Sequence, residues 1–203
     1  MITARRPRRA LAAAIVAASA LLLSACGNQQ AGSAATLGDT RISDAALSAQ
    51  VQEILAAKGQ PVTSVDQSLT AQTLGRMITL EMVDRLAERE GVTVTQGQID
   101  EQLAAAVAQT GDMAALEQVY VEQSIAPSQI ESFVRLNIQA QELGLALLPS
   151  GSAEEQGQAV FEAASALSEE LDTTVSPRYG TWDASQLALG PVPDDLSTPP
   201  ALG

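Results

Sequence analysis

Histidine is absent from this chain, cysteine and lysine occur once each, as Cys26 and Lys58, and the aromatic complement is one Trp, two Tyr and two Phe in 203 residues. Without histidine there is no Ser-His-Asp or Cys-His nucleophile, and zinc sites built from His and Cys are excluded. A lone cysteine excludes an internal disulfide and a thiol pair for redox chemistry. The shortage of aromatics leaves the core to Leu, Ile, Val, Met and Ala, which suits helix packing. No glycine-rich phosphate loop follows a strand, and Ser150-Gly151-Ser152 reads as a linker. Glu169 and Asp172 have the i,i+3 spacing that puts two carboxylates on one helical face, yet an exposed acidic face is the simpler account. Glu154-Glu155 and Asp194-Asp195 lack the alternating oxygen ligands of a calcium loop, so neither a metal nor a cofactor is assigned.

What the chain does have is a marked N-terminus. Arg5, Arg6, Arg8 and Arg9 precede an uncharged apolar run from Ala10 to Leu23, the n-region and h-region of a secretory signal. The run is shorter than the roughly 20 residues that a spanning helix needs. It ends in Leu23-Ser24-Ala25-Cys26, which resembles the bacterial lipobox, in which the cysteine receives diacylglycerol before cleavage ahead of it. The expectation is a signal peptide over 1–25 and a lipidated Cys26 on the extracytoplasmic face of the cell membrane. An ordinary signal with a chance cysteine, or an uncleaved anchor helix, are the competing readings.

Loss of residues 1–25 removes four of the 11 basic residues and none of the 24 acidic ones, leaving 7 against 24, a formal charge of −17. So acidic a surface is repelled by nucleic acid and by anionic headgroups, which excludes nucleic-acid partners and leaves the lipid as the means of attachment. Residues 26–36 are small and polar and read as a flexible tether.

Helix signals follow. Ser43 is an N-cap with Ile42 and Leu47 at the staple positions, and Leu47, Val51, Ile54 and Leu55 share a face before Gly59 and Pro61, predicting a first helix over 43–58. A second, over 66–90, carries too many apolar residues for one stripe and is expected to be central. Gly91 ends it, and Thr95 with Gln98 forms a capping box for a third helix with Ile99, Leu103 and Val107 inward. Gly111-Asp112 restarts the chain for a fourth helix, with Leu116, Val119 and Tyr120 on one face. Pro127 opens a fifth, running to about Leu148. Ala153 to Leu171 is an acidic, alanine-rich helix, and Ser176 to Asp183 holds Tyr179 and Trp182 in a segment with strand character. From 184 to 203, prolines 191, 193, 199 and 200 predict a disordered tail.

The order of these elements, with Gly38-Asp39-Thr40-Arg41-Ile42-Ser43 ahead of the first helix and Leu74-x-x-Met77-Ile78-x-x-Glu81-Met82-Val83-Asp84-Arg85-Leu86-Ala87-Glu88-Arg89-Glu90-Gly91-Val92-Thr93-Val94-Thr95 across the second, resembles the N-terminal domain of SurA-type and PrsA-type extracytoplasmic chaperones. The likeness covers Leu37 to Leu148, and Ser176 to Asp183 is similar to the end of actinobacterial lipoproteins of that group. It implies a mainly α fold, a compact multi-helix SurA N-terminal-like domain over 37–183, related in architecture to the trigger-factor C-terminal chaperone domain. It also implies a two-stranded patch pairing Thr36–Ile42 with Ser176–Thr181. A Gly-Asp pair stands where Asn-Gly is usual, and neither the length after Leu148 nor the missing histidine suits a parvulin isomerase, so no enzymatic activity is expected.

The implied function is a lipid-anchored holding chaperone for unfolded or partly folded exported polypeptides. Its clients would meet a cradle between the first, second and fifth helices, with Leu47, Val51, Met77, Leu80, Phe133, Tyr179 and Trp182 as candidate contacts. For Met77 and Met82 a place in the core is the favoured alternative to an adaptable surface that would also include Met113, and for Tyr179 and Trp182 the favoured alternative is that they anchor the chain end to the body. The competing function is a non-enzymatic envelope lipoprotein that binds one folded partner.

Overall fold

A computed structural model describes residues 32–64 and 66–193. The signal segment, Cys26 and Asp194–Gly203 lie outside the described residues. The chain divides into two compact units after Ser33, and apart from Ser33 itself every described strand and helix belongs to the second.

Six α-helices make up most of this unit: α1 (Asp44–Ala57), α2 (Gln67–Glu90), α3 (Gln96–Thr110), α4 (Met113–Glu122), α5 (Ile130–Leu147) and α6 (Ala153–Glu170). Their starts are set by side chains that accept the orphan N–H groups of the first turn: Ser43 from Ala46, Asp66 from Leu69, Thr95 from Gln98, Asp112 from Ala115 and Ser152 from Glu155. Each such cap contributes about 1 kcal/mol. Thr95 with Gln98 and Ser152 with Glu155 are reciprocal capping boxes. At the start of α5 the cap comes from another helix. Pro127–Gln129 forms a 3-10 turn, and the Glu53 carboxylate of α1 accepts from the Ser128 N–H (2.7 Å) and hydroxyl (2.6 Å).

Helix α2 is the axis of the fold. It packs against α1 on one side and against α5 and α6 on others, while α3 lies on α5 and α4 on α3. Its buried residues Leu69, Leu74, Ile78, Met82, Val83, Leu86 and Ala87 cover more than one face, which explains why its apolar pattern is too wide for a single stripe. Gly91 ends it in the left-handed region, φ 70°. Helix α6 docks on the body along α5 and α2, burying Val160, Ala164 and Leu167. At the α5–α6 crossing Gly144 is buried, and an added Cβ would lie 2.9 Å from the Gln156 Cβ.

The strands form two small antiparallel patches. One has the order β2-β1-β3, from Ser33–Leu37 (β1), Thr40–Ser43 (β2) and Thr174–Val175 (β3); the other pairs Trp182–Asp183 (β4) with Ala188–Leu189 (β5). The chain is therefore mainly helical with a small antiparallel sheet, as the sequence implies.

Three boundaries differ from the sequence reading. Residues 33–36 are not tether: Ala34 and Ala35 are buried at 0% and 2% exposure within β1. Their smallness lets a strand lie close to the helices, with Leu37 as the large buried side chain that follows. The return pairing falls earlier than Ser176–Thr181. Ala35 pairs with Val175 and Thr36 with Thr174, and the Ser176 N–H donates to the Ala34 carbonyl (2.9 Å), after which Pro177–Tyr179 turns in a 3-10 helix. The last described stretch is not featureless either, because β5 returns along β4 and the Gly190 N–H donates to the Thr181 carbonyl at 2.7 Å. Prolines 191 and 193 come after that strand, where a missing N–H costs no ladder bond.

Candidate functional site

Helices α2, α5 and α6 converge beneath the β4–β5 hairpin and leave an open groove of about 260 Å³. Its floor is Ile78, Met82 and Val83 from α2; its walls are Leu136 and Ala140 from α5 and Val160, Phe161 and Ala164 from α6, with Trp182 and Leu187 closing one end. Thr79 and Asn137 are the polar side chains in the lining, and no charged group enters it. Thr79 donates to its own helix, at the Gly75 carbonyl (3.0 Å). Phe161 stands at the rim with 36% of its surface exposed. A groove with this lining accepts aliphatic or aromatic side chains and offers little to a polar ligand.

Trp182 holds the hairpin end of the groove. Its indole N–H donates to the buried Ser168 hydroxyl of α6 at 2.8 Å, and the Ser165 hydroxyl donates to the Ala184 carbonyl at 2.9 Å. Tyr179 works one turn earlier. Its hydroxyl donates to Asp44 at 3.0 Å, the Arg178 guanidinium pairs with the same carboxylate, and that guanidinium lies 4.8 Å from the Tyr179 ring centre. Burial, and then the bond to Asp44, push the Tyr179 hydroxyl above its ordinary pKa. Tyr179 thus fastens the return segment to the start of α1, whereas Trp182 both fastens the hairpin and faces the groove.

A second cleft, of about 320 Å³, opens between β2, α1, α2 and α5. Met77 and Leu80 form its apolar base, and Arg41, Glu81, Asp84 and Arg135 stand around them. Beside it Arg85 binds Asp39 at 2.6 Å and Glu81 at 2.8 Å, and also reaches the Thr40 hydroxyl. The bond from Arg85 holds the Asp39 carboxyl below the usual carboxylate range, and the Arg85 guanidinium is raised in turn. Gln139, buried on α5, donates to Asp84 at 2.8 Å.

The residues nominated from sequence therefore separate. Met77 and Leu80 are half-buried and line the polar-rimmed cleft, and Trp182 lines the apolar groove. Leu47 and Val51, at 1% and 8% exposure, belong to the core beneath α1 and present no surface to a partner, because their face of α1 is the one turned to α2. Phe133 stacks edge-on with Tyr120 (5.8 Å, 74°) on the α4 side of α5 and lines neither opening. Met82 is core at 1%, and Met113 is exposed at 46%. Asp172 lies past the end of α6 at φ 48°, so it shares no helical face with Glu169. Among the described residues no group of three or more acidic or thiol side chains is placed to hold a metal ion, and no helix is long and apolar enough to cross a membrane.

Sequence reasoning missed the α6 wall. Gly157, Val160, Phe161 and Ala164 follow the i, i+3, i+4, i+7 spacing of an amphipathic helix and were legible as a stripe within the alanine-rich segment. Leu187 carries no such signal, since it sits in a turn at φ 47°. No protein-family model, no curated protein and no solved structure matches the chain.

Proposed function

We propose that this chain is a lipid-anchored, non-enzymatic extracytoplasmic chaperone that holds unfolded or partly folded exported polypeptides by taking their apolar side chains into the groove between α2, α5 and α6. The observation that carries the reading is the groove itself, an uncharged and largely aliphatic opening with Phe161 exposed at its rim, on a chain with 24 acidic residues. Apolar lining supplies affinity without a fixed hydrogen-bond pattern, which suits many clients, and the acidic exterior keeps complexes soluble. The likeness of Leu74–Thr95 to the SurA-type and PrsA-type N-terminal domain supports this reading and the corresponding fold. The signal-like N-terminus and the lipobox-like Leu23–Cys26 support export and attachment to the membrane.

A second reading has its own support. In the β2–α1–α2–α5 cleft, charged groups of both signs ring an apolar base, the arrangement of a surface made for one folded partner.

The test is suppression of light scattering when a denatured, aggregation-prone protein is diluted into the chain from Gly27 onward, which keeps every described element. Suppression at near-stoichiometric ratio, lost in Phe161→Glu and kept in Arg135→Glu, is the expected result. Absence of suppression across several clients would sink general holding and move the search to crosslinking of a dedicated partner at the second cleft.

A further inference from the structure

Three non-glycine residues among those described hold a positive φ: Ser124 at 60°, Asp172 at 48° and Leu187 at 47°. Ser124 and Asp172 are short and polar, whereas a leucine in the left-handed region crowds its Cβ against a carbonyl oxygen and has no polar group to offset the strain. The turn accounts for the backbone but not for the residue. Asp183 pairs with Ala188, which leaves residues 184–187 to reverse the chain, and the Asp183 carboxylate accepts from the Ser185 N–H (2.9 Å) and hydroxyl (2.7 Å) and from the Gln186 N–H (3.3 Å). A left-handed position in a hairpin loop is ordinarily filled by glycine, which takes it without steric cost. Fastening the hairpin falls to other side chains. Trp182 donates to Ser168 (2.8 Å), Ser165 donates to the Ala184 carbonyl (2.9 Å), and the Leu189 Cδ1 lies 3.5 Å from where a Cβ on Gly75 of α2 would stand.

What the leucine supplies is a large apolar side chain at the closed end of the groove, beside Trp182. Strain of this kind persists where the surrounding structure holds it in place, and it gathers at ligand clamps. Glycine at 187 would satisfy the turn and leave that end open. With leucine there, a client side chain entering between α2, α5 and α6 meets a wall, and Phe, Tyr and Trp reach further from their backbone than Leu, Ile or Val. Resting on the holding function proposed above, we infer that Leu187 is the end-stop of the α2–α5–α6 groove and makes it selective for the aliphatic side chains of Leu, Ile and Val over aromatic ones.

Trp182 is the chain's single tryptophan and lines the groove, so its emission reports occupancy. The experiment titrates the Gly27-to-Gly203 chain with two synthetic peptides that share one Gly/Ser frame and differ in their anchor residues, Leu in one and Phe in the other. The Leu peptide should shift the emission at about tenfold lower concentration than the Phe peptide, the discrimination expected of an apolar site with a fixed end. Leu187→Gly relieves the backbone strain as it opens the end, and is the variant expected to keep the fold; in it the preference should vanish or invert. Leu187→Ala opens the same space with the strain retained and should change the ranking in the same way, which ties the effect to side-chain size. Leu187→Met keeps an apolar side chain of similar volume and should keep the preference. Equal affinities in the unaltered chain, or a Leu preference that survives in Leu187→Gly, would overturn the end-stop and leave the groove standing as a client site. If neither peptide shifts the emission of the unaltered chain, the end-stop is likewise refuted, and the groove as the holding site is then decided separately: it stands if Phe161→Glu loses suppression of aggregation and falls if suppression persists.

Discussion

The Trp182 indole N–H donates to the Ser168 hydroxyl at 2.8 Å, and Ser168 is 1% exposed, so the hairpin is bolted to α6 through a buried polar pair. Removing the acceptor leaves the indole donor without a partner in a half-apolar setting, which costs about 1–3 kcal/mol. Ser168→Ala should therefore lower the unfolding midpoint by several degrees and redden Trp182 emission as the hairpin loosens. Ser168→Ala combined with Trp182→Phe should cost less than the two single changes added, because one bond is lost only once.

How far the molecule was legible from its sequence depended on how local the physics was. Ser43, Gly91 and the Thr95–Gln98 box act within a turn of themselves, and the helix limits they set match the structure to within a residue or so. The residues that failed depend on distant neighbours. Ala34 and Ala35 look like spacer until β3 arrives from nearly 140 positions later to pair with them. Leu47 and Val51 form the apolar stripe of α1, and that very strength put them in the core. The groove is made by three helices and a hairpin that meet only in the folded chain, so its outline could not be read from any one of them. The stripe on α6 could have been.

Gly144 and Gly180 are both held by close approach, and they should respond differently to alanine. At Gly144 a Cβ would meet the Gln156 Cβ at 2.9 Å, so α5 and α6 must part slightly. Overpacking of about 1–3 kcal/mol is opposed by the roughly 1 kcal/mol that alanine gains in a helix, leaving Gly144→Ala mildly destabilising. At Gly180 a Cβ would meet the Gly190 carbonyl oxygen at 2.3 Å, and φ is 128°. No helix propensity offsets that, so Gly180→Ala should cost more and should unseat the hairpin. Denaturant unfolding of the two variants, with Trp182 emission as a local reading, checks the order.

Alkaline pH should weaken the fold through Tyr179. Burial, then its bond to Asp44, raise the hydroxyl above the ordinary tyrosine value, so the folded state binds this proton more tightly than the unfolded chain does. The contribution is present in full below the unfolded value near 10 and is lost as pH rises through the higher folded value. Denaturant midpoints measured from about pH 8 to 11.5 should fall along that limb, and Tyr179→Phe should flatten the fall. An equally steep limb in the variant would assign the effect to other groups.

The position of β1 bears on attachment. Since the strand begins at Ser33, six residues separate it from Cys26. Fully extended, that stretch spans roughly 25 Å, so a lipidated Cys26 would keep the body within a few nanometres of the bilayer and bring the groove to segments as they emerge from export. With a formal −17 on the chain after Ala25, electrostatics would not hold it there. Cys26→Ser should therefore abolish labelling by radioactive palmitate and move the chain from the detergent-rich to the aqueous phase on phase separation, leaving peptide binding in the groove unchanged. Retention of the variant in the detergent phase would show that something other than the thiol holds the chain to the membrane, and export without lipidation would then have to be weighed against an uncleaved N-terminal segment.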